Sequence, residues 1–222
     1  MENEGSWEVQ ASNRIIAAWE MISVIMSFLM AEWIVRPFSS HDRITVAVPL
    51  AFAIILMVLS HRARGETSHT VGWRVDNFWP ALRLLALPIL CGTALIILAG
   101  FLSGGFASKK WTQGQWLLWL PVWALVQQYA LQGFVNRRAQ IIFGAGYRSV
   151  LVVALVFALL HLPNPWLTAA TFIGGLLWAA VYQRVPNLPA LAISHALISI
   201  LLVWAVPNPV LGGLRVGIRY FV

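Results

Sequence analysis

The sequence lacks acidic side chains over most of its length. It contains 15 Lys and Arg against 8 Asp and Glu, and no acidic residue follows Asp76. Only 10% of its 222 residues are charged, whereas soluble domains are about a quarter charged. Since 59% of the residues are hydrophobic and the mean hydropathy is +0.76, the composition excludes an ordinary soluble domain and predicts an integral membrane protein.

Cysteine is nearly absent as well. The single thiol, Cys91, excludes an internal disulfide and a metal site built from two cysteines. The N terminus has glutamates instead of the basic start of a signal peptide, so it is expected to be retained. Basic residues stand singly or in pairs between apolar runs, which indicates loop anchors at lipid headgroups and no nucleic-acid partner.

Apolar runs close to 20 residues long recur along the whole chain, and each is long enough to cross a bilayer. They predict one membrane domain over residues 1–222, an all-α polytopic membrane helix bundle of about seven to eight transmembrane helices. Residues 1–13 form a polar lead. The expected spans are 15–35, 44–60, 81–102, a fourth beginning near Gln115, 149–161, 166–183 and 188–206, with a short eighth element in the tail.

Orientation is predicted from Lys and Arg alone. With seven spans, most of the 15 basic residues fall on the side of the N terminus. The positive-inside rule therefore favours a cytoplasmic N terminus, and the expected location is a bacterial cytoplasmic membrane.

A few polar side chains stand in otherwise apolar spans, where an unpaired polar group costs free energy. They therefore predict one wet site inside the bundle. By helix length, Gln127 and His161 would both lie roughly 18 Å from the same membrane face. The residues concerned are Gln127, Gln128, Gln132, His161, His195 and Ser199.

Other interpretations of these residues stay open. The amides could equally form interhelical hydrogen bonds that only hold the bundle together, and each histidine could be a structural residue. Ser199 is also expected to bond its own backbone. Glu20 is expected to anchor the first span at the interface, the alternative being a carboxylate for the site. A zinc site would lack its usual third ligand.

Three motifs in the second half of the chain resemble the CPBP family, also called Abi, which includes the type II CAAX prenyl endopeptidases. The family pattern is Glu-Glu-x-x-Phe-Arg-Gly, then Phe-x-x-x-His, then a Gly-rich helix and His-x-x-x-Asn or Asp. The corresponding stretches here are Gln127-Gln128-Tyr-Ala-Leu131-Gln132-Gly133, Phe157-Ala-Leu-Leu-His161, and His195-Ala-Leu-Ile-Ser199 after Gly174.

The resemblance implies a catalytic core over residues 81–206. The first motif position would be the base that activates water, aided by the histidine of the second motif. The last two positions would polarise the scissile carbonyl or hold its oxyanion. No cofactor and no metal are implied. The candidate catalytic residues are Gln127, Gln128, His161, His195 and Ser199.

Both glutamates of the family motif are glutamines here, and a neutral amide cannot take a proton from water. The substitutions fit a divergent branch that lost opposite charges together, since Gln132 replaces the motif arginine. They equally fit a near-isosteric change that removes the base.

The predicted function is hydrolysis of a peptide bond in a membrane-tethered protein, near its C terminus, by a glutamate-type intramembrane endopeptidase. Because glutamine occupies both glutamate positions of the motif, this chain could be an inactive member. The alternatives are a proteolytically silent relative acting as a binding or immunity protein, and a small-solute transporter. The expected partners are membrane lipid and a membrane-tethered protein or peptide. The oligomeric state stays open.

Overall fold

The computed structural model describes residues 2–38, 43–108 and 118–221, and within these ranges the chain is helical with no strand. The first helix continues through a π-helical stretch, Met30–Val35, to Phe38. The helices are α1 Glu2–Leu29, α2 Arg43–Ala63, α3 Ser68–Val71, α4 Phe78–Leu102, α5 Leu120–Gln128, α6 Arg137–Phe143, α7 Tyr147–Leu159, α8 Pro165–Arg184, α9 Leu188–Ala205 and α10 Asn208–Leu211.

Between α5 and α6 the chain stays helical, with a π-helical segment over Tyr129–Asn136. We call the continuous rod over residues 120–143 the motif helix, because it carries the Gln127-Gln128 motif. The expected start of this span, near Gln115, lies outside the described residues. In the tail, single 3₁₀ turns over Gly212–Leu214 and Gly217–Tyr220 follow α10.

Asparagine and proline mark the starts of α8 and α9. The side chain of Asn164 accepts a hydrogen bond from the backbone N–H of Leu167, and that of Asn187 accepts one from Ala190. Each asparagine is followed by a proline in the first turn, where the missing N–H has no intrahelical partner to lose. The two proline-rich breaks in the sequence are therefore helix starts.

The helices pack in a pattern that surrounds the motif helix. α7 packs most extensively on α8, and α9 packs on both α4 and α5. α1 packs on α2 and α6. The side chain of Asn77 donates to the carbonyl of Pro186, which holds the starts of α4 and α9 at one end of the bundle.

Five helices are long and apolar enough to cross a membrane within the described residues: α1 with its continuation, α2, α4, α8 and α9. The all-helical membrane fold predicted from composition is confirmed to this extent. α7 is apolar but shorter, and the motif helix is interrupted by its π segment. The segment 61–80, between the expected spans 44–60 and 81–102, contains the short helix α3.

The polar lead is helical from Glu2 onward and extends α1, and Asn13 accepts a hydrogen bond from Arg64. Two glycines lie at the end of α4: a Cβ on Gly100 would come within 2.8 Å of Ala205, whereas Gly104 has open space around it. Gly104 has a φ of +67°, so its role is in the turn that ends α4.

Gly175 is where α7 and α8 approach most closely, since an added Cβ would lie 2.8 Å from the backbone Cα of Ala154. We expect Gly175→Ala to lower the thermal unfolding midpoint of the purified protein, at an overpacking cost of about 1–3 kcal/mol. Gly92→Ala is the matched control. Its added Cβ would lie 3.8 Å from Ile198, an ordinary contact, and alanine has the higher helix propensity. Equal midpoints for the two variants would contradict this close packing.

Candidate active site

One cavity of about 380 Å³ lies between α1, the motif helix and helices α7 to α9. The structure brings the following candidate residues to its wall: Gln127, His161, His195 and Ser199. The rest of the wall is mostly apolar and includes Trp123, Trp178 and Phe157. The predicted convergence of amide and imidazole groups from three helices is therefore present, with hydroxyl and carboxylate groups beside them.

Gln128 lies outside the cavity lining. Its side chain is fully buried, and its Nε2 atom lies 3.2 Å from Nδ1 of His195. Because successive helical residues point about 100° apart, Gln127 faces the cavity while Gln128 faces the protein behind it. The two motif amides therefore have different surroundings, and Gln128 reaches the site only through His195.

An aromatic frame holds the two imidazoles. The ring of Phe157 packs edge-to-face against both, with centroids 4.8 Å from His161 and 5.7 Å from His195. Trp178 stacks on His195 at 4.5 Å, and its indole N–H donates to Ser194 at 3.0 Å. Such packing fixes ring positions and leaves little room for alternative rotamers.

The backbone determines which nitrogen of His161 carries the proton. Nδ1 lies 2.7 Å from the carbonyl oxygen of Phe157, an atom that only accepts, so Nδ1 must donate. In a neutral imidazole the other nitrogen, Nε2, is then an acceptor. His161 therefore offers a lone pair in a cavity where Gln127 offers an amide.

Glu32 is a cavity residue that the sequence analysis did not predict. It lines the cavity together with Arg36 and Arg219. Arg36 donates to both of its oxygens, at 2.8 and 2.9 Å, and Arg219 approaches to 3.6 Å. A Cβ on Gly217 would contact Glu32 at 3.1 Å, so the tail packs directly over this group.

Glu20 lies in a different cluster, away from the cavity lining, at the far end of the motif helix. Its carboxylate pairs with Arg138 at 2.8 Å and with Arg64 at 3.0 Å. Arg138 is fully buried and also pairs with Glu66 at 3.0 Å, while Arg137 pairs with Glu66 at 2.6 Å. The expectation that Glu20 anchors at the interface is incomplete, because its carboxylate compensates a buried cation.

Glu66 has an unusually acidic carboxyl group for the same reason. Burial alone would raise its pKa, but the hydrogen bond with His61 and the charges of Arg138 and Arg137 lower the pKa from 4.5 to about 2. This cluster ties the C-terminal end of the motif helix to α1 and to the loop after α2.

The sequence analysis missed a row of amides behind the site. Gln128, Gln132, Asn136 and Gln140 stand at four-residue intervals on the motif helix, and the first three are fully buried. The i, i+4 spacing is readable from the sequence, although the sequence analysis singled out only Gln128 and Gln132 of this row. Because the spacing stacks side chains on one face, Asn136 donates to Gln132 at 2.8 Å and accepts from Gln140 at 3.0 Å.

No group of three or more His, Cys, Asp or Glu side chains close enough to hold a metal ion occurs among the described residues. The polar side chains in the cavity wall include the Gln127 amide, two imidazoles, the hydroxyls of Thr171 and Ser199, and the Glu32 ion cluster.

A family model, type II CAAX prenyl endopeptidase Rce1-like, matches residues 109–201. The matched range contains all three motifs and the four candidate residues in the cavity wall. The chain is related to the CAAX protease family. No curated protein and no solved structure matches the chain significantly. In this CAAX protease relative every acidic residue lies before the matched range, so Glu32 and the two carboxylates that pair with Arg138 come from the N-terminal part.

Arg138 is expected to be essential for the stability of the motif helix. Arg138→Met leaves Glu20 and Glu66 without a buried counterion, and breaking such a pair costs about 3–5 kcal/mol. Arg148→Met, at an exposed position beside Tyr147, is the control and should unfold like the wild type. Thermal unfolding in detergent measures the difference, and indistinguishable midpoints would show that the cluster adds no stability.

Stability should also depend on pH through Glu66. Its folded-state pKa lies below its unfolded value, so its contribution is fully present above about pH 4.5 and is lost as the pH falls toward 2. Glu66→Gln imitates the protonated carboxyl, so its stability deficit should shrink over that range. A deficit that stays constant from pH 7 to about 2 would refute the assignment.

Proposed function

We propose that this protein is a membrane endopeptidase that hydrolyses a peptide bond near the C terminus of a membrane-tethered protein. The observation that carries the proposal is the single cavity that Gln127, His161, His195 and Ser199 line inside an apolar helical bundle. The relation to CAAX proteases supports the same class of reaction.

In the proposed reaction the amide of Gln127 holds a water molecule by hydrogen bonding. Nε2 of His161 takes a proton from this water as its oxygen bonds to the scissile carbonyl carbon. N–H and O–H groups of His195 and Ser199 stabilise the oxyanion. The intermediate then collapses, the C–N bond breaks, and the proton on His161 passes to the leaving amine.

His161 takes the place of the family's glutamate in this scheme. Its Nδ1 is committed to the carbonyl of Phe157, which leaves Nε2 as the accepting nitrogen. Glu32 is the rival base, because its carboxylate lines the same cavity. Both oxygens of Glu32 already accept hydrogen bonds from Arg36, which commits this carboxylate to its counterion.

We also propose that the motif helix and α7 cross the membrane with the five long helices, for seven crossings in all, and that the N terminus is cytoplasmic. Contacts between helices support the number of crossings. Arg64, after α2, contacts Asn13 and Glu20 of α1, and Gln183 at the end of α8 contacts Gly146 just before α7. The excess of Lys and Arg on the N-terminal side supports the orientation.

A second candidate function is substrate binding without cleavage. The glutamine at both motif positions favours it, because neither amide can act as a base. In that case the cavity would hold a peptide segment in place, and the protein would act as a binding or immunity partner.

The test is cleavage of membrane-anchored fluorogenic peptides in proteoliposomes. Gln127→Glu places a carboxylate at the water position and should raise the cleavage rate by about 10²-fold or more, as expected for a general base. Adding His161→Ala should abolish this gain. Glu32→Gln should leave the rate within a few-fold of its parent.

Three outcomes would overturn parts of the proposal. No cleavage by the wild type or by Gln127→Glu, combined with saturable peptide binding, would establish the silent relative. A complete loss of activity in Glu32→Gln alone would assign the base to Glu32. Undiminished cleavage in His161→Ala would remove His161 from the reaction.

A further inference from the structure

The row of buried amides behind the cavity ends at His195. Its members on the motif helix are Gln128, Gln132 and Asn136, and Gln183 joins them from α8. We call these four residues the amide ladder. Burying several amides in an apolar bundle costs free energy unless they are paired. The directions of their hydrogen bonds therefore bear on which ring nitrogen of His195 carries the proton.

Two backbone groups set the direction of the hydrogen bonds. The N–H of Gly146 can only donate, and it bonds Oε1 of Gln183 at 2.8 Å, so Nε2 of Gln183 donates to Oδ1 of Asn136 at 2.9 Å. The carbonyl of Ala179 can only accept, and it lies 3.3 Å from Nδ2 of Asn136. Both constraints orient the Asn136 amide in the same way.

That orientation passes along the motif helix. Nδ2 of Asn136 donates to Oε1 of Gln132 at 2.8 Å, which turns Nε2 of Gln132 toward the next amide. Nε2 of Gln132 and Oε1 of Gln128 are each buried without a protein partner among the described residues. One is a donor and the other an acceptor on side chains four residues apart, and one water between them would satisfy both.

The last step reaches the imidazole. Oε1 of Gln128 is then the acceptor for that water, and Nε2 of Gln128 lies 3.2 Å from Nδ1 of His195. An amide nitrogen only donates, so Nδ1 of His195 must accept and cannot carry a proton. The proton of the neutral ring is then on Nε2, the nitrogen left for the cavity.

We propose that the amide ladder sets the tautomer of His195, holding its Nε2 as a hydrogen-bond donor to the cavity. Gln128, Gln132, Asn136 and Gln183 are positioning residues in this scheme. The catalytic consequence, a donor for the oxyanion, rests on the proposed function, whereas the tautomer itself does not.

The two cavity histidines therefore have opposite tautomers. His161 donates through Nδ1 to the carbonyl of Phe157 and presents an accepting Nε2. His195 accepts through Nδ1 from Gln128 and presents a donating Nε2. One ring can take a proton while the other stabilises negative charge, a division that one shared tautomer would not allow.

Nuclear magnetic resonance of protein labelled with ¹⁵N-histidine in detergent micelles tests the tautomer. Couplings between ring nitrogens and carbon-bound protons identify the protonated nitrogen, and the signal lost in His195→Phe gives the assignment. The expected wild-type result is His195 protonated on Nε2 and His161 on Nδ1. A wild-type His195 protonated on Nδ1 would overturn the proposal.

Variants of the ladder test its mechanism. Gln128→Glu offers only acceptors and should move the proton to Nδ1. Gln132→Met and Gln183→Met break the chain of bonds and should give a mixture of both tautomers. Gln140→Met is the matched control, because Asn136 keeps its bond from Gln183. Pure Nε2–H in both Gln132→Met and Gln183→Met would show that the ladder does not set the tautomer.

The readout separates this proposal from the proposed function. Cleavage by Gln127→Glu with His195 protonated on Nδ1 would refute the ladder alone. The predicted tautomers in a protein that cleaves no peptide would refute the endopeptidase alone.

Discussion

Polar groups on the motif helix must be paired, because the helix runs through an apolar bundle. An unpaired polar group there costs roughly several kcal/mol of free energy. Most of the structure around this helix meets that requirement. Arg138 at its far end is fully buried and draws carboxylates from α1 and from the loop after α2. Along its back the amides bond one another and α8. Gln127, in contrast, faces the cavity.

The position of the π-helical segment matches this difference between the cavity-facing side of the motif helix and the side that carries the buried amides. Such segments are rare and occur often at functional sites. Here it spans Tyr129–Asn136, immediately after the two motif glutamines. Gly133 lies within it, where a Cβ would be 3.0 Å from Val71 of α3. The segment therefore combines the stacked amides with the close approach of the loop that carries Glu66.

The few carboxylates are used mainly as counterions. Glu20 and Glu66 compensate Arg138, and Glu32 pairs with Arg36 beside the cavity. This leaves the chemistry of the cavity to neutral groups, which explains why the direction of each hydrogen bond matters. Where a carboxylate would accept from any donor, an amide accepts at one atom and donates at the other. The neutral residues around His195 therefore carry directional information that charged residues would lack.

The sequence by itself determined the membrane class, most helix positions, the family relation and four of the residues that line the cavity. These follow from composition, from apolar run length and from motif spacing, which are local properties. The tertiary structure decided which face each polar residue occupies. Gln127 and Gln128 are neighbours in sequence but face a cavity and a buried ladder, and Glu32 reaches the cavity from 95 residues away from Gln127. Such assignments depend on helix rotation and on contacts between distant segments, which no local pattern contains.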